Sequence, residues 1–113
     1  MGREKIVLTG DAEVALEILA QQIKLARFQR GETAEQLATR AGVSRRTILQ
    51  IEKAEPAVSI GNVLKVALMA GVPLFAPSIQ ERESLRAHGR EKIALLPSRV
   101  SAVPKLSEDE LDF

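Results

Sequence analysis

TAEQLATRAGVSRRTILQIE, residues 33–52, has the pattern of two short helices joined by a tight turn. Thr33 and Gln36 have the spacing of a capping box, and Ser44 can cap a second helix. Gly42 lies between them, where a tight turn requires a residue that adopts positive φ. Ala38 is small enough for the two helices to approach each other closely. Apolar residues that fill the wedge between the helices stand at Val43, Ile48 and Ile51.

Segments on both sides of this pair also have helical periodicity. We predict a first helix over residues 12–29, with Asp11 as N-cap and Gly31 as its stop. Its apolar stripe consists of Leu16, Leu19, Ile23 and Ala26. The third helix is predicted to run from Arg45 to Lys53, since Pro56 bars its continuation. Flanking helices that bury the back of such a pair indicate a helix-turn-helix.

The remaining segments are less regular. We expect a fourth helix opened by Ser59 and closed by Gly71, with an inward stripe at Ile60, Leu64, Ala67 and Leu68. Lys5–Leu8 reads as a short strand or an extended arm. Ser78–His88 can form a further helix, which Gly89 ends. The last twenty or so residues contain Pro97 and Pro104 and no sustained periodicity, so they are expected to be extended or disordered.

Composition excludes several functions. Aromatic residues make up 3% of the 113 residues, which argues against a base-stacking platform for single strands. With no Cys and one His, Cys-ligated zinc, disulfides and thiol catalysis are excluded, and we expect no metal, no cofactor and no enzyme. No apolar run approaches the length of a membrane span or a secretory signal, so we expect a cytoplasmic protein.

The net charge of +1 hides a segregation of charge along the chain. Residues 24–53 contain seven basic and three acidic residues, a net +4, whereas residues 107–113 carry four carboxylates. A basic helix pair suits a phosphate backbone. Arg45, Arg46 and Gln50 lie on one outward face of the third helix, where Arg can pair with guanine and Gln with adenine.

Hydroxyl and basic side chains nearby suit phosphate contacts. We assign that role to Thr33, Ser44, Thr47, Arg40 and Lys53. The alternatives are that the arginines are ordinary solvated charges and that Thr33 and Ser44 are helix caps alone. A capping hydroxyl can also contact a phosphate.

From about Leu16 to Gly71 the sequence resembles the Cro/C1-type, or XRE-family, helix-turn-helix domain. The resemblance implies an all-α, lambda-repressor-like domain of four to five short helices, followed here by an extended, partly disordered tail. It also implies DNA reading by Arg45, Arg46 and Gln50, and an ion pair between Arg27 and Glu52, two residues that look outward-facing on composition alone.

Two positions depart from the family pattern. Ala34 replaces a Gln that often donates to a phosphate in this family, so that contact is lost. Ala54 stands where a Gly is usual, and we therefore expect the exit of the third helix to be wound differently.

The C-terminus ends in apolar residues among carboxylates, a composition suited to folding onto a basic, apolar-rimmed surface. The residues assigned to a partner are Leu106, Glu108, Asp109, Glu110, Leu111, Asp112 and Phe113. This tail resembles the C-termini of XRE-type antitoxins of type II toxin–antitoxin modules, particularly those paired with HipA-like kinases (HipB-like antitoxins). A merely solubilising acidic terminus is the alternative.

Together these features predict an N-terminal arm over residues 1–11, a DNA-binding domain over 12–76 and an extension over 77–113. The expected function is that of a homodimeric repressor of a pseudo-palindromic operator, nucleoid-associated and acting as the antitoxin to a HipA-like toxin. A stand-alone XRE-family or phage-type regulator is the first alternative. An interaction adaptor that has lost DNA binding is the second.

Overall fold

The computed structural model describes residues 5–100 and contains five helices and no strand in that range. The chain divides after Leu74 into two compact units, of which the first contains four helices and the second one. The all-α prediction is therefore confirmed for the described residues. The helices are α1 Gly10–Gln29, α2 Ala34–Ala41, α3 Arg45–Glu52, α4 Ile60–Ala70 and α5 Ile79–Ala94.

Side-chain caps fix the start of α2, α3 and α4 where the sequence predicted them. Thr33 Oγ1 accepts from the Gln36 backbone N–H at 3.1 Å, and the Thr33 N–H donates to Gln36 Oε1 at 2.9 Å, which completes the capping box. Ser44 and Ser59 accept in the same way at the starts of α3 and α4. Each cap satisfies an amide that the helix itself leaves without an acceptor.

α1 begins differently from the prediction. Its N-cap is Thr9, which makes no side-chain cap bond, and the helix includes Gly10 and Asp11. Asp11 therefore lies in the first turn, where its negative charge is favourable near the helix N-terminus. The prediction of Asp11 as N-cap is wrong. A carboxylate is favourable both at the N-cap and in the first turn, so the residue type alone does not distinguish these two positions.

The core of the first unit is aliphatic and small. Ile23, Leu37, Ile48 and Val66 are completely buried, one from each of α1 to α4. Ala38 is 3% exposed and lies in this cluster, as its predicted place at the crossing of α2 and α3 requires. The short helices pack closely because alanines occupy the contacts between them.

The predicted inward face of α4 is largely wrong. Ile60, Leu64 and Leu68 are 77%, 37% and 40% exposed, whereas the buried residues are Val66, Ala67 and Ala70. α4 is apolar around most of its circumference, so periodicity alone does not select the side that faces the core. Contacts with α2 and α1 decide it.

α1 to α4 all end with a residue in the left-handed conformation, followed by the paired backbone hydrogen bonds of a Schellman motif. That residue is glycine after α1, α2 and α4, at positions 31, 42 and 71. After α3, which ends at Glu52 instead of the predicted Lys53, it is Ala54, with φ 59°. The exit of α3 is therefore wound like the others, and the expectation of a different winding is wrong.

Ala54→Gly is expected to stabilise the domain by about 0.5–1 kcal/mol. The left-handed conformation costs an L-residue about 1–2 kcal/mol, and the greater freedom of glycine in the unfolded chain offsets part of the gain. Urea unfolding followed by circular dichroism measures the difference. Ala15→Gly, on the exposed middle of α1, is the control and should instead destabilise by about 1 kcal/mol. A destabilised Ala54→Gly variant would contradict the prediction.

The second unit contains α5, which Ser78 caps by accepting from the Glu81 backbone N–H at 3.2 Å. α5 passes through Gly89 and ends at Ala94, so the predicted stop at Gly89 is wrong. One interior glycine costs about 1 kcal/mol of helix stability. The five residues after it continue the helical hydrogen bonds, and the helix ends three residues before Pro97, which cannot continue it. None of the helices in the described part of the chain is long and apolar enough to cross a membrane.

Candidate nucleic-acid interface

α3 has one face anchored in the core and the other open to solvent. Ile48 and Ile51 are buried, while Arg45 and Arg46 are exposed and Gln50 is half-buried. Within residues 5–100 neither arginine makes a hydrogen bond or an ion pair. Both guanidiniums are therefore available to an external anion or base edge.

The predicted phosphate-contacting hydroxyls lie at helix starts. Ser44 Oγ accepts from the Thr47 backbone N–H at 3.1 Å and lies 3.0 Å from Thr47 Oγ1. Thr33 Oγ1 is occupied as an acceptor by the Gln36 amide, which leaves its hydroxyl proton free to donate. Capping therefore leaves the Thr33 hydroxyl able to donate to a phosphate, whereas the hydrogen bond between Ser44 and Thr47 uses one of their two hydroxyl protons. Phosphate contacts at these three positions stay predictions.

Two other predicted phosphate-contacting residues, Lys53 and Arg40, differ from these hydroxyl residues in position or in existing contacts. Lys53 is exposed at the C-terminal end of α3, about 12 Å along the helix from Arg45. Arg40 is occupied within the domain: its Nε and Nη2 donate to the Glu32 carboxylate at 2.6 and 2.8 Å. Phosphate contacts by these two side chains stay predictions, and for Arg40 such a contact competes with an existing ion pair.

A bidentate ion pair holds α3 against α1. Arg27 Nε and Nη2 donate to the two carboxylate oxygens of Glu52 at 2.7 and 2.8 Å, and Nη1 donates to the Glu32 carbonyl at 3.0 Å. The expected pair is confirmed, but the outward-facing interpretation is wrong, because Arg27 is only 8% exposed. The Glu52 carboxylate raises the pKa of Arg27, so the guanidinium stays charged. This link fixes the orientation of α3.

A second network, which the sequence did not reveal, surrounds the end of α4. The Met69 carbonyl accepts from Arg40 Nη2 at 2.7 Å and from Arg30 Nη1 at 2.8 Å. Arg40 also holds Glu32, so residues from the α1–α2 loop, α2 and α4 are joined. No spacing in the sequence points to this network, because its acceptor is a backbone carbonyl that tertiary packing brings near.

Glu32→Gln is expected to reduce the loss of stability on acidification. Two hydrogen bonds from Arg40 hold the pKa of Glu32 below its ordinary value of 4.5. Because the pKa is lower in the folded state, the ionised Glu32 carboxylate stabilises the fold at pH values above the ordinary pKa. This stabilisation is lost as the pH falls through the folded-state pKa. Urea unfolding at pH 7 and pH 3 should therefore show a wild-type advantage that shrinks at pH 3. Parallel pH profiles of the two proteins would contradict this role.

The predicted partner-binding residues, Leu106 and Glu108–Phe113, lie outside the described residues.

The helix-turn-helix family model matches residues 23–75, which begin inside α1 and include α2, α3 and α4. No curated protein and no solved structure matches the chain significantly. The matched range agrees with the element order and with the anchored, outward-facing α3. Residues 23–75 therefore form a helix-turn-helix domain of the XRE type, a DNA-binding regulatory domain.

Proposed function

We propose that the chain is a sequence-specific repressor that binds double-stranded operator DNA as a homodimer. This proposal rests on one observation, namely that α3 is held on one side and exposed on the other. Its back is fixed by the core and by the Arg27–Glu52 pair, while Arg45 and Arg46 are exposed and unengaged within residues 5–100. A rigid helix with free guanidiniums at its N-terminal end is what major-groove reading requires.

In this proposal Arg45, Arg46 and Gln50 read base edges. Thr33, Ser44 and Thr47 position the domain on phosphates, and Arg40 and Lys53 add sequence-independent attraction. Two such domains on a pseudo-palindrome place their recognition helices about 34 Å apart, one turn of B-DNA. The protein then acts at the chromosome, in the cytoplasm and associated with the nucleoid.

Selection from a random pool of duplexes tests this proposal. The full-length protein should enrich a two-fold-related sequence and bind it at least about 1,000-fold more tightly than a scrambled duplex of equal length. Affinity for both duplexes should fall as salt is raised, because phosphate contacts release counterions. Enrichment of no sequence, with equal and weak binding to both duplexes, would instead support the adaptor that has lost DNA binding.

We further propose that this repressor is an antitoxin that controls its own operon and binds a HipA-like kinase toxin through its C-terminal tail. The support is the composition of that tail, in which Leu111 and Phe113 stand among four carboxylates. An acidic and apolar segment of this kind can order on a basic surface. A stand-alone or phage-type regulator, in which the tail only aids solubility, is the alternative.

Deletion of Glu108–Phe113 separates these two possibilities. The protein is co-expressed with the product of the adjacent open reading frame, and both co-purification and growth rescue are measured. The antitoxin proposal predicts that the deletion abolishes both while operator binding stays unchanged. Intact complex formation and rescue, or an adjacent gene that encodes no toxic protein, would contradict it.

A further inference from the structure

α1 has a second apolar face on the side opposite to its buried face. Val14, Ile18, Leu25 and Phe28 are 53%, 48%, 62% and 63% exposed. With Gln21 at the intervening position, they repeat at intervals of four, three, four and three residues. That spacing is the seam of a coiled coil, in which apolar residues recur every 3.5 residues on average. We name these five residues the α1 seam.

The charges beside the α1 seam are arranged unequally. Glu17 and Lys24 each precede a seam residue by one position, so both lie on the same flank of the helix. The other flank carries the uncharged residues Ala15, Gln22 and Gln29. Flanking positions of this kind decide the partner and the orientation of coiled-coil helices.

We infer that the α1 seam binds the α1 seam of a second copy of this chain, with the two helices antiparallel. This inference rests on the homodimer of the proposed function and names its interface. A two-fold axis through Gln21 places Val14 against Phe28 of the second copy, as an isologous contact requires. The same operation brings Glu17 to within one residue, about 1.5 Å along the helix, of the level of Lys24 of the second copy and on the same flank, so each interface contains two attractive pairs.

A parallel arrangement lacks this complementarity, because there the charged flank of one helix faces the uncharged flank of the other.

The exposed apolar face of α4 is the main competing surface in the first unit. Its residues Ile60, Leu64 and Leu68 recur only at intervals of four. Lys65 beside them already donates to the Gly42 carbonyl at 3.5 Å. α1 is therefore the helix whose apolar spacing and flanking charges both fit a second copy.

Charge reversal at the α1 seam tests the interface without disturbing the core. Glu17 and Lys24 are exposed and lie seven residues apart, too far to pair within one helix. In sedimentation equilibrium of the full-length protein, Glu17→Lys and Lys24→Glu should each raise the dimer dissociation constant at least about 10-fold, since each creates two like-charge contacts. The double variant should return it to within about 3-fold of wild type, because it exchanges the signs of both pairs.

Ile18→Glu is the stronger disruption and should raise the dissociation constant on the order of 100-fold, since it buries two carboxylates in an apolar contact. Ile93→Glu, at a similarly exposed isoleucine of α5, is the matched control and should leave dimerisation unchanged. A wild-type protein that is monomeric at 100-fold its operator-binding concentration would overturn this inference together with the homodimer. A dimer that survives both Ile18→Glu and the single reversals would overturn the α1 seam alone.

Discussion

Arg27→Ala is expected to lower the free energy of unfolding by about 3–5 kcal/mol, the largest effect on stability that we predict. The Glu52 side chain is only 5% exposed, and Arg27 donates to both of its carboxylate oxygens. Removal of the guanidinium leaves a buried carboxylate with neither its counterion nor its hydrogen bonds, which is the costly way to break a buried pair. It also leaves the Glu32 carbonyl without its Arg27 donor.

Urea unfolding at pH 7 measures this effect, and Arg40→Ala provides the comparison. The Arg40 side chain is 39% exposed, so water screens its ion pair, and Arg40→Ala should destabilise the fold less than Arg27→Ala even though it also removes a donor to the Met69 carbonyl. Arg27→Met combined with Glu52→Leu should recover most of the loss, because it removes both charges and retains the apolar volume. An Arg27→Ala variant no less stable than Arg40→Ala would show that the buried pair does not hold α3 in place.

Arg45→Ala combined with Arg46→Ala is expected to weaken binding to the selected operator at least about 100-fold. A bidentate arginine–guanine contact discriminates by about 1–3 kcal/mol, and a homodimer loses each contact twice. Because both side chains are exposed and unengaged within residues 5–100, the variant should unfold like the wild type. Fluorescence anisotropy with operator and scrambled duplexes gives the specific and non-specific affinities separately.

Two control variants separate base reading from simple attraction of charge. Arg86→Ala combined with Arg90→Ala removes the same charge from exposed positions of α5 and should leave the operator preference intact. Lys53→Ala should weaken binding to both duplexes by a similar factor and reduce the salt dependence, since a phosphate contact carries no sequence information. Equal losses for both arginine double variants would contradict the assignment of α3 as the reading helix.

The sequence predicts the parts of this fold that depend on local chemistry. Thr33, Ser44 and Ser59 begin helices because their hydroxyls satisfy amides within three residues, and Gly42 ends α2 because the turn needs positive φ. The spacing of these residues is visible without any tertiary information. The core positions of α2 and α3 follow for the same reason, since each helix has one clearly apolar face.

Where several positions are locally equivalent, prediction from the sequence fails. α4 is apolar on most sides, so only its neighbours determine that Val66 is buried and Ile60 is not. Gly89 has the composition of a stop, but the hydrogen bonds of the residues after it outweigh its propensity. Ala54 keeps the left-handed turn because the Schellman hydrogen bonds of its neighbours require it. Arg27 looks solvated until the fold brings Glu52 beside it.

In the candidate interface, too, some features can be predicted from the local sequence and others depend on the tertiary structure. Arg45, Arg46 and Gln50 share an outward face because their positions on one helix fix it, so the sequence suffices to place them. Whether a side chain is already bonded within the domain depends on distant residues. Arg40 donates to the Glu32 carboxylate and to the Met69 carbonyl, and no local pattern links these residues to it. Whether a basic side chain is free to contact DNA is therefore a property of the fold and not of the sequence.

Chemical-shift mapping can show whether α3 enters the major groove of the duplex. Isotope-labelled full-length protein is titrated with the selected operator, and backbone amide shifts are followed for residues 5–100. We expect the largest shifts on Ser44–Gln50 and around Thr33, while the shifts of α5 stay largely unchanged. Shifts concentrated on α5, or uniformly small shifts with no maximum at the start of α3, would contradict it.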